Sequence, residues 1–460
     1  MSNSLETATV ARIHFEEAFH ARTLSYMPGY RDEGRQVTVL LGGNAHSPAG
    51  HVLASTLLNQ LARAHRRIAV IGDLDRELLC ASPFAAQTIG KATVGTARAI
   101  NPYIEIAAEE ELTAASEKDS LIVGIGATAG AHVRLGADGF IAEIGANATV
   151  TERPASVWGA LLAACLGANV AFHWAMNGEV RGPEGRFSLW ELGKPGGEDG
   201  PELPGPIDVG RVLQAGAGAV GCALDLAGIL VGLAGQWAIV DGDLVEVSNL
   251  NRQALFLASD TGWPIGVAAN KALSVSRRMK ASTGANITAA ADWYDEEPDI
   301  LKGSYDVVLA LANDRGVRGA LQGRQPTVLL HATTSASWQA QVHRHIAGRD
   351  DCINCRIPSQ AAPMRCSTGE IQFAGAVADA ALPFLSMTAG VLLAAQLSRL
   401  QHGAILRTDA NHAYVDLREA TPLHAEVIRR CRASCRIRLS PAIRRTLNAD
   451  SCWCHLDDEA

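Results

Sequence analysis

The sequence predicts an α/β protein made of two related halves, and three observations predict it. First, a Gly/Pro-rich segment, KPGGEDGPELPGP at 194–206, divides the chain. Eight of the twelve residues from Pro195 to Pro206 are Gly or Pro, which sustain neither a helix nor an inner strand. Second, each side carries an apolar strand, a glycine-containing turn, an apolar helix and a second strand ending in acids. These are VTVLLGGNAHSPAGHVLASTLLNQLARAHRRIAVIGDLD from 37 and RVLQAGAGAVGCALDLAGILVGLAGQWAIVDGD from 211, so that Asp73 and Asp75 mirror Asp241 and Asp243. Third, LIVGIGATAG at 121–130 matches DVVLALANDRG at 306–316, and the small-residue helix VWGALLAACLGANVAF at 157–172 matches FLSMTAGVLLAAQLSRL at 384–400. Recurrence in one order at similar spacing points to shared architecture. The expected organisation is a first half over 1–193, a linker over 194–206 and a second half over 207–460.

Composition fits this reading. The chain of 460 residues is long enough for two large domains, and 48% hydrophobic with 19% charged residues excludes general disorder. A net charge of −8 repels a phosphate backbone, so no nucleic-acid partner is expected. The amino terminus, MSNSLETATVARIHFEEAFH, lacks the basic and apolar regions of a secretory signal. No stretch reaches the roughly 18 uninterrupted apolar residues of a membrane span, so a cytoplasmic protein with no membrane partner is expected. Seven of the ten cysteines fall after position 350, which in a reducing compartment argues for metal or thiol chemistry. Cys80, Cys165 and Cys222 sit singly in apolar surroundings and read as packing residues.

The first half carries a degraded turn. Its GGNAHSPAGH places Pro48 and two histidines where backbone N–H groups would face a phosphate, and no NRQ string follows Asp75. The second half keeps the full pattern. Gly216, Gly218 and Gly221 form a GxGxxG between strand and helix, and Asp241 lies 20 residues beyond Gly221 at a strand end, where a carboxylate can accept hydrogen bonds from ribose hydroxyls. A nicotinamide-cofactor enzyme fits equally well up to this point.

The next segment, DGDLVEVSNLNRQALFLASDTGWPIGVAANKAL, separates the two. With its glycine loop, DxD strand end and SNLNRQ string, the stretch from Arg211 to Leu417 resembles the ThiF, MoeB and ubiquitin-activating enzyme superfamily. The resemblance implies a Rossmann-like adenylation fold that binds ATP and Mg²⁺ and adenylates the carboxyl-terminal glycine of a ubiquitin-like protein. It implies nucleotide binding by Gly216, Gly218, Gly221, Asp241 and Asp243, with ribose contact for Asp241. It further implies β- and γ-phosphate contacts for Asn249, Arg252 and Gln253, and phosphate contact for Lys271. Asp314 in LANDRGVR matches the magnesium aspartate, with Asn313 as the alternative register. Arg252, Lys271, Asp314 and Cys366 are the residues it implies for catalysis.

Cys352 and Cys355 in RDDCINCRIP resemble the first pair of the superfamily's structural zinc site. Cys431 and Cys435, 76 residues after Cys355, resemble the second pair, although as CxxxC; Cys452 and Cys454 are the competing pair. Cys366 in PMRCSTGE occupies the stretch that carries the thioester cysteine of activating enzymes, and Arg365 beside it favours a thiolate. Arg429, Arg430, Arg432, Arg436, Arg438, Arg444 and Arg445 form a basic run that reads as a solvated face, with docking of an acidic partner as the alternative.

By the same resemblance the first half is an inactive adenylation-like copy that completes the active site through an arginine near the amino terminus. Arg12, Arg22, Arg31 and Arg35 are equivalent candidates at this level. An inactive half joined to an active one resembles the activating enzymes of bacterial ubiquitin-like conjugation operons, such as the Bil antiviral system. That implies a ubiquitin-like protein and a conjugating-type enzyme as partners. Sulfur-carrier activation of the ThiF and MoeB type, and a catalytically dead scaffold, are the alternatives.

Overall fold

The computed structural model describes residues 2–26, 34–113, 119–126, 128–178, 180, 184–296, 298–356, 382–418 and 422–431. The first half runs α1 (Ser2–Tyr26), β1 (Gln36–Leu41), α2 (Pro48–Ala64), β2 (Arg67–Ile71), α3 (Thr96–Ile100), β3 (Glu105–Glu109), β4 (Ser120–Ile125), β5 (Val133–Asp138), β6 (Ile141–Ile144), α4 (Ser156–Asn177), β7 (Gly185–Ser188) and β8 (Lys194–Pro195). The second runs β9 (Arg211–Ala215), α5 (Ala219–Val231), β10 (Gln236–Val240), α6 (Lys271–Ser282), β11 (Asn286–Ala290), β12 (Val307–Ala310), α7 (Arg315–Gly323), β13 (Val328–Thr334), β14 (Gln339–Ile346), α8 (Ile353–Arg356), α9 (Pro383–Gln401), β15 (His412–Asp416) and β16 (Leu423–Val427).

Each half forms one eight-stranded sheet, and the two strand orders are the same: β3-β2-β1-β4-β5-β6-β7-β8 and β11-β10-β9-β12-β13-β14-β15-β16. The first five strands in each order are parallel and the rest antiparallel. The segments that recur in the sequence occupy equivalent places: 121–130 begins in β4 and 306–316 contains β12, while α4 and α9 hold the two small-residue stretches. The central parallel strands are mostly apolar, as burial on both faces requires, and β4 has no exposed residue, whereas the edge strands β3 and β11 carry exposed residues.

Helices α2, α4, α5 and α9 pack between the sheets. Small residues set their spacing. A methyl group on Gly390 of α9 would lie 2.5 Å from the Ala223 Cβ of α5, and one on Gly159 of α4 would lie 2.2 Å from the Ile141 carbonyl oxygen. Helix α4 is long and apolar enough to cross a bilayer, but 83% of its most apolar 18-residue stretch is buried inside the protein, where the same composition makes a core helix.

The Gly/Pro-rich segment behaves as its composition demands, with a difference at its start. Lys194 and Pro195 pair with β7 as the edge strand β8, where a missing N–H is tolerated. Asp199 then folds back: its Oδ1 accepts from the Phe140 amide at 2.7 Å, and its Oδ2 pairs with Arg153 at 2.7 Å.

Candidate functional site

In an open parallel sheet, ligands bind beyond the carboxyl ends of the strands where the strand order reverses. In the second half that point lies between β9 and β12. The three glycines do different work there. Gly216 has φ 109°, and a Cβ on it would meet the Ala312 amide nitrogen at 2.6 Å, so only glycine lets the β9 turn lie against the loop after β12. A Cβ on Gly221 would strike the Gly216 carbonyl oxygen at 2.5 Å, which holds the first turn of α5 against the loop. At Gly218, the residue preceding α5, a Cβ would meet nothing within 4 Å. Open space above a helix amino terminus is what a phosphate needs.

Asp241 shapes this loop. Its Oδ2 accepts from the Ala217 amide at 2.7 Å and its Oδ1 from the Asp243 amide at 2.9 Å, and burial raises its pKa. Asp243 faces Lys271: Nζ lies 2.7 Å from Oδ2, with the lysine side chain 5% and the aspartate 19% exposed. Asn270 makes that placement. Its side-chain oxygen caps α6 by accepting from the Leu273 amide, while its Nδ2 donates to the carbonyls of Asp241 and Asp243 at 2.9 and 3.1 Å. Lys271 is thus delivered to the strand end by its own helix cap, whatever its distance from the preceding glycine.

The SNLNRQ string forms a 3₁₀ turn (Val247–Asn249) and a further turn beside it. Asn249 is buried, with Oδ1 accepting from the Glu246 amide at 3.1 Å. Arg252 Nη1 donates to the Ser248 carbonyl at 2.6 Å and to Asn251 Oδ1 at 2.8 Å. Gln253 is buried, and its Oε1 has no partner among the described residues. Asp314 caps α7, its Oδ1 accepting from the amides of Gly316 and Val317 at 2.6 and 3.1 Å. Gly216, Gly218, Gly221, Asp241, Asp243 and Lys271 therefore meet at one set of strand ends, and Asp314 stands just beyond β12, the strand beside β9.

Of the proposed zinc ligands, Cys352, Cys355 and Cys431 come together, their sulfur atoms all within 4.8 Å of one another. The Cys431 sulfur beside it, together with burial, pushes the Cys352 thiol up, the expected result of crowding thiols without a cation. Three sulfurs in this arrangement fit a tetrahedral Zn²⁺ that takes a fourth donor. Cys435, Cys452, Cys454 and Cys366 lie outside the described residues, as do Arg31 and the arginines of the basic run after Arg430.

The sequence reading missed three features. Thr23 of α1 reaches the SNLNRQ segment, its Oγ1 accepting from Asn251 Nδ2 at 3.0 Å. Among the remaining arginine candidates, Arg12 pairs with Glu16 at 2.9 Å and Arg35 donates to the Ala175 carbonyl at 2.7 Å, whereas Arg22 directly precedes Thr23. A second feature is Arg63 of α2, which reaches the same segment from below. The third is a buried column of imidazoles: His331 stacks on His343 at 4.0 Å, His343 on His412 at 4.2 Å, and His345 Nε2 lies 3.0 Å from His331 Nδ1. Burial lowers all four pKa values, those of His345 and His412 to about 3. The HRH alternation at 343–345 carried a signal for it, since period two puts both histidines on one face and Arg344 on the other, where it pairs with Asp350 at 2.7 Å.

In the first half the corresponding turn differs from that of the second. Pro48 stands at the first position of α2 without an N–H, and Ser47 Oγ accepts from the Gly50 amide at 3.1 Å.

The chain is 27% identical over 338 residues to the uncharacterized protein y4jF of Sinorhizobium fredii, covering 70% of this chain and 60% of that protein. It is 35% identical over 120 residues to the adenylyltransferase and sulfurtransferase uba4 of Aspergillus terreus, 25% of this chain and 23% of that one. It is also 37% identical over 89 residues to ubiquitin-activating enzyme E1 2 of Arabidopsis thaliana, 17% of this chain and 8% of that one. The chain thus spans 60% or less of the length of these relatives. Among solved structures, E. coli MccB with AMPCPP and MccA matches with a TM-score of 0.36 and 18% identity over 49% of this chain and 66% of that one. The ThiF family model matches residues 206–436. That span is half of the 460 residues and takes in the whole second sheet with its glycine loop and SNLNRQ turn, and on this ground the chain belongs to the ThiF family.

Proposed function

We propose that this protein uses ATP to adenylate the carboxyl-terminal carboxylate of a ubiquitin-like protein. The observation that carries the proposal is the convergence of the glycine loop with the buried Lys271–Asp243 pair at one strand-order reversal, a cradle for a polyphosphate beside a ribose. The glycine loop and the DxD strand end hold the nucleoside. Each Asp241 oxygen accepts one backbone amide, which fixes the loop, and each keeps a lone pair for a ribose hydroxyl. Asn249, Arg252, Gln253 and Lys271 hold the β- and γ-phosphates, Arg252 as a planar fork of donors. Mg²⁺, when held by Asp314, supplies neutralising charge to the phosphate oxygens.

In the reaction a carboxylate oxygen of the partner attacks the α-phosphorus. The bond to the β-bridging oxygen breaks, and pyrophosphate leaves with the electron pair. The Cys366 thiolate then attacks the acyl carbonyl, AMP leaves, and the resulting thioester passes to a conjugating-type enzyme. Zn²⁺ on Cys352, Cys355, Cys431 and Cys435 is structural. The two equal strand orders support reading residues 1–193 as an adenylation-like half related to the active one at 207–460, and the Thr23 contact brings α1 of that half to the SNLNRQ turn. A role in bacterial antiviral conjugation belongs to the same proposal and rests on the two-half organisation. The match to uba4 favours sulfur-carrier activation as the second reading.

Pyrophosphate exchange in the presence of ubiquitin-like and sulfur-carrier proteins ending in Gly-Gly tests the adenylation; no exchange with any of them rejects it. Cys366→Ala should keep exchange and lose the thiol-sensitive covalent adduct with the partner on a non-reducing gel. An adduct that persists removes the thioester from Cys366.

A further inference from the structure

The Leu250–Phe256 stretch is irregular backbone: the Gln253 carbonyl accepts from the Phe256 amide within it, and the carbonyls of Leu250, Ala254 and Phe256 find partners outside it. They find them in the other half of the chain. Arg63 of α2 is 2% exposed. It donates from Nη1 to the Leu250 carbonyl at 2.5 Å and from Nη2 to the carbonyls of Ala254 and Phe256 at 2.9 and 3.1 Å. Its Nε is held by Asn59 Oδ1 at 2.9 Å, and Asn59 Nδ2 donates to the Ala254 carbonyl at 3.0 Å. Asn59 and Arg63, one helical turn apart on α2, act as one grip.

We infer that Arg63, with Asn59, is a positioning residue for the phosphate-binding segment Asn249–Gln253, through which the first half sets the geometry of the second half's nucleotide site. The three carbonyls it holds lie at Leu250, inside that segment, and at Ala254 and Phe256, just after it. Fixing those peptide planes fixes where Asn249, Arg252 and Gln253 project. A guanidinium suits the task because its donors diverge in a rigid plane, whereas an ammonium presents a single point charge. Burying a cation on carbonyl dipoles is costly, and burial lowers the Arg63 pKa to about 9. An apolar side chain would fill the same interface at less cost but would leave the three carbonyls unpaired, so the charge is retained for geometry. The inference rests on the adenylation reading above, because it assigns Asn249, Arg252 and Gln253 to phosphates that ATP has and AMP lacks.

That difference supplies the test. The full chain, with Mg²⁺, is titrated calorimetrically with ATP and separately with AMP, as wild type, Arg63→Met, Arg63→Lys and Asn59→Ala, each checked for a cooperative melting transition. Both Arg63 variants should lose about tenfold or more in ATP affinity while AMP affinity stays within about twofold, and lysine should not rescue. Asn59→Ala should show the same selectivity at smaller size. Equal loss for both nucleotides, or unchanged ATP binding in folded Arg63→Lys, overturns the positioning role and leaves the adenylation reading standing. Wild-type protein that binds neither nucleotide overturns both. If Arg63→Met does not fold, Arg63→Lys and Asn59→Ala decide the matter.

Discussion

Lys271 Nζ lies 2.7 Å from Asp243 Oδ2, and this ion pair is the point where the start of α6 meets the end of β10. A lysine 5% exposed and paired to a single carboxylate oxygen keeps its other ammonium hydrogens for further acceptors. The pair therefore combines a structural contact with the chemistry proposed for Lys271, and the two are separable.

Lys271→Met should reduce partner-dependent pyrophosphate exchange by at least about 100-fold, and by leaving Asp243 uncompensated it should also lower stability by a few kcal/mol. Adding Asp243→Asn should restore most of the melting temperature but none of the exchange. Recovery of exchange in the double variant would show that Lys271 acts only by neutralising Asp243.

Asp314 has a capping role beside the magnesium role proposed for it. As the cap of α7 it accepts two amide hydrogens, so Asp314→Ala should cost about 1 kcal/mol in stability whatever its place in catalysis. Asp314→Asn keeps a capping oxygen and removes the charge that a magnesium ion requires. Exchange should therefore fall steeply in Asp314→Asn at an unchanged melting temperature. If exchange in Asp314→Asn matches the wild type, Asn313 is the residue to examine.

Much of this was legible in the sequence, for a physical reason. The fold class and the site in the second half are encoded by local signals: the strand-glycine-helix pattern, the acid at the strand end and the SNLNRQ string, each carried within a few neighbouring residues. What the first half contributes was not legible. Asn59 and Arg63 read as two polar residues on an amphipathic helix, and their partners at Leu250 and Ala254 stand about 190 residues away and present carbonyls, which no side-chain pattern reveals. Asp314 shows the opposite limit, since a carboxylate two residues before a helical glycine is equally a cap and a ligand in sequence.

Zinc should be present at about one ion per chain, and its removal should be destabilising, because binding free energy is folding free energy. Cys352→Ser and Cys431→Ser should each lower metal content and melting temperature, since their sulfurs share one cluster with that of Cys355. Full occupancy in Cys431→Ser would exclude it as a ligand. Full occupancy in Cys435→Ser, with loss in Cys452→Ser, would assign the fourth donor to the carboxyl-terminal pair.

Asp225 gives the protein a pH dependence whose sign can be stated. It is fully buried in α5, and burial pushes its pKa up from 3.8 to about 7, opposed by the hydrogen bond from Gln214 Nε2 at 3.0 Å. Because the folded value exceeds the unfolded one, the folded state holds the proton more tightly. This group's effect on stability is neutral below about pH 4, becomes increasingly unfavourable as pH rises towards 7, and is constant above it. A shift of that size corresponds to roughly 4 kcal/mol, as an order of magnitude. Asp225→Asn removes the ionisation, and Gln214 can turn its amide to offer an oxygen to the new NH₂ group. The variant should therefore be more stable than the wild type in chemical denaturation at pH 8, and the gap should close as the pH approaches 4. A gap of the same size at both pH values would show that the Asp225 pKa is the same in the folded and unfolded states, and that its burial is not what sets the stability of α5 against β9.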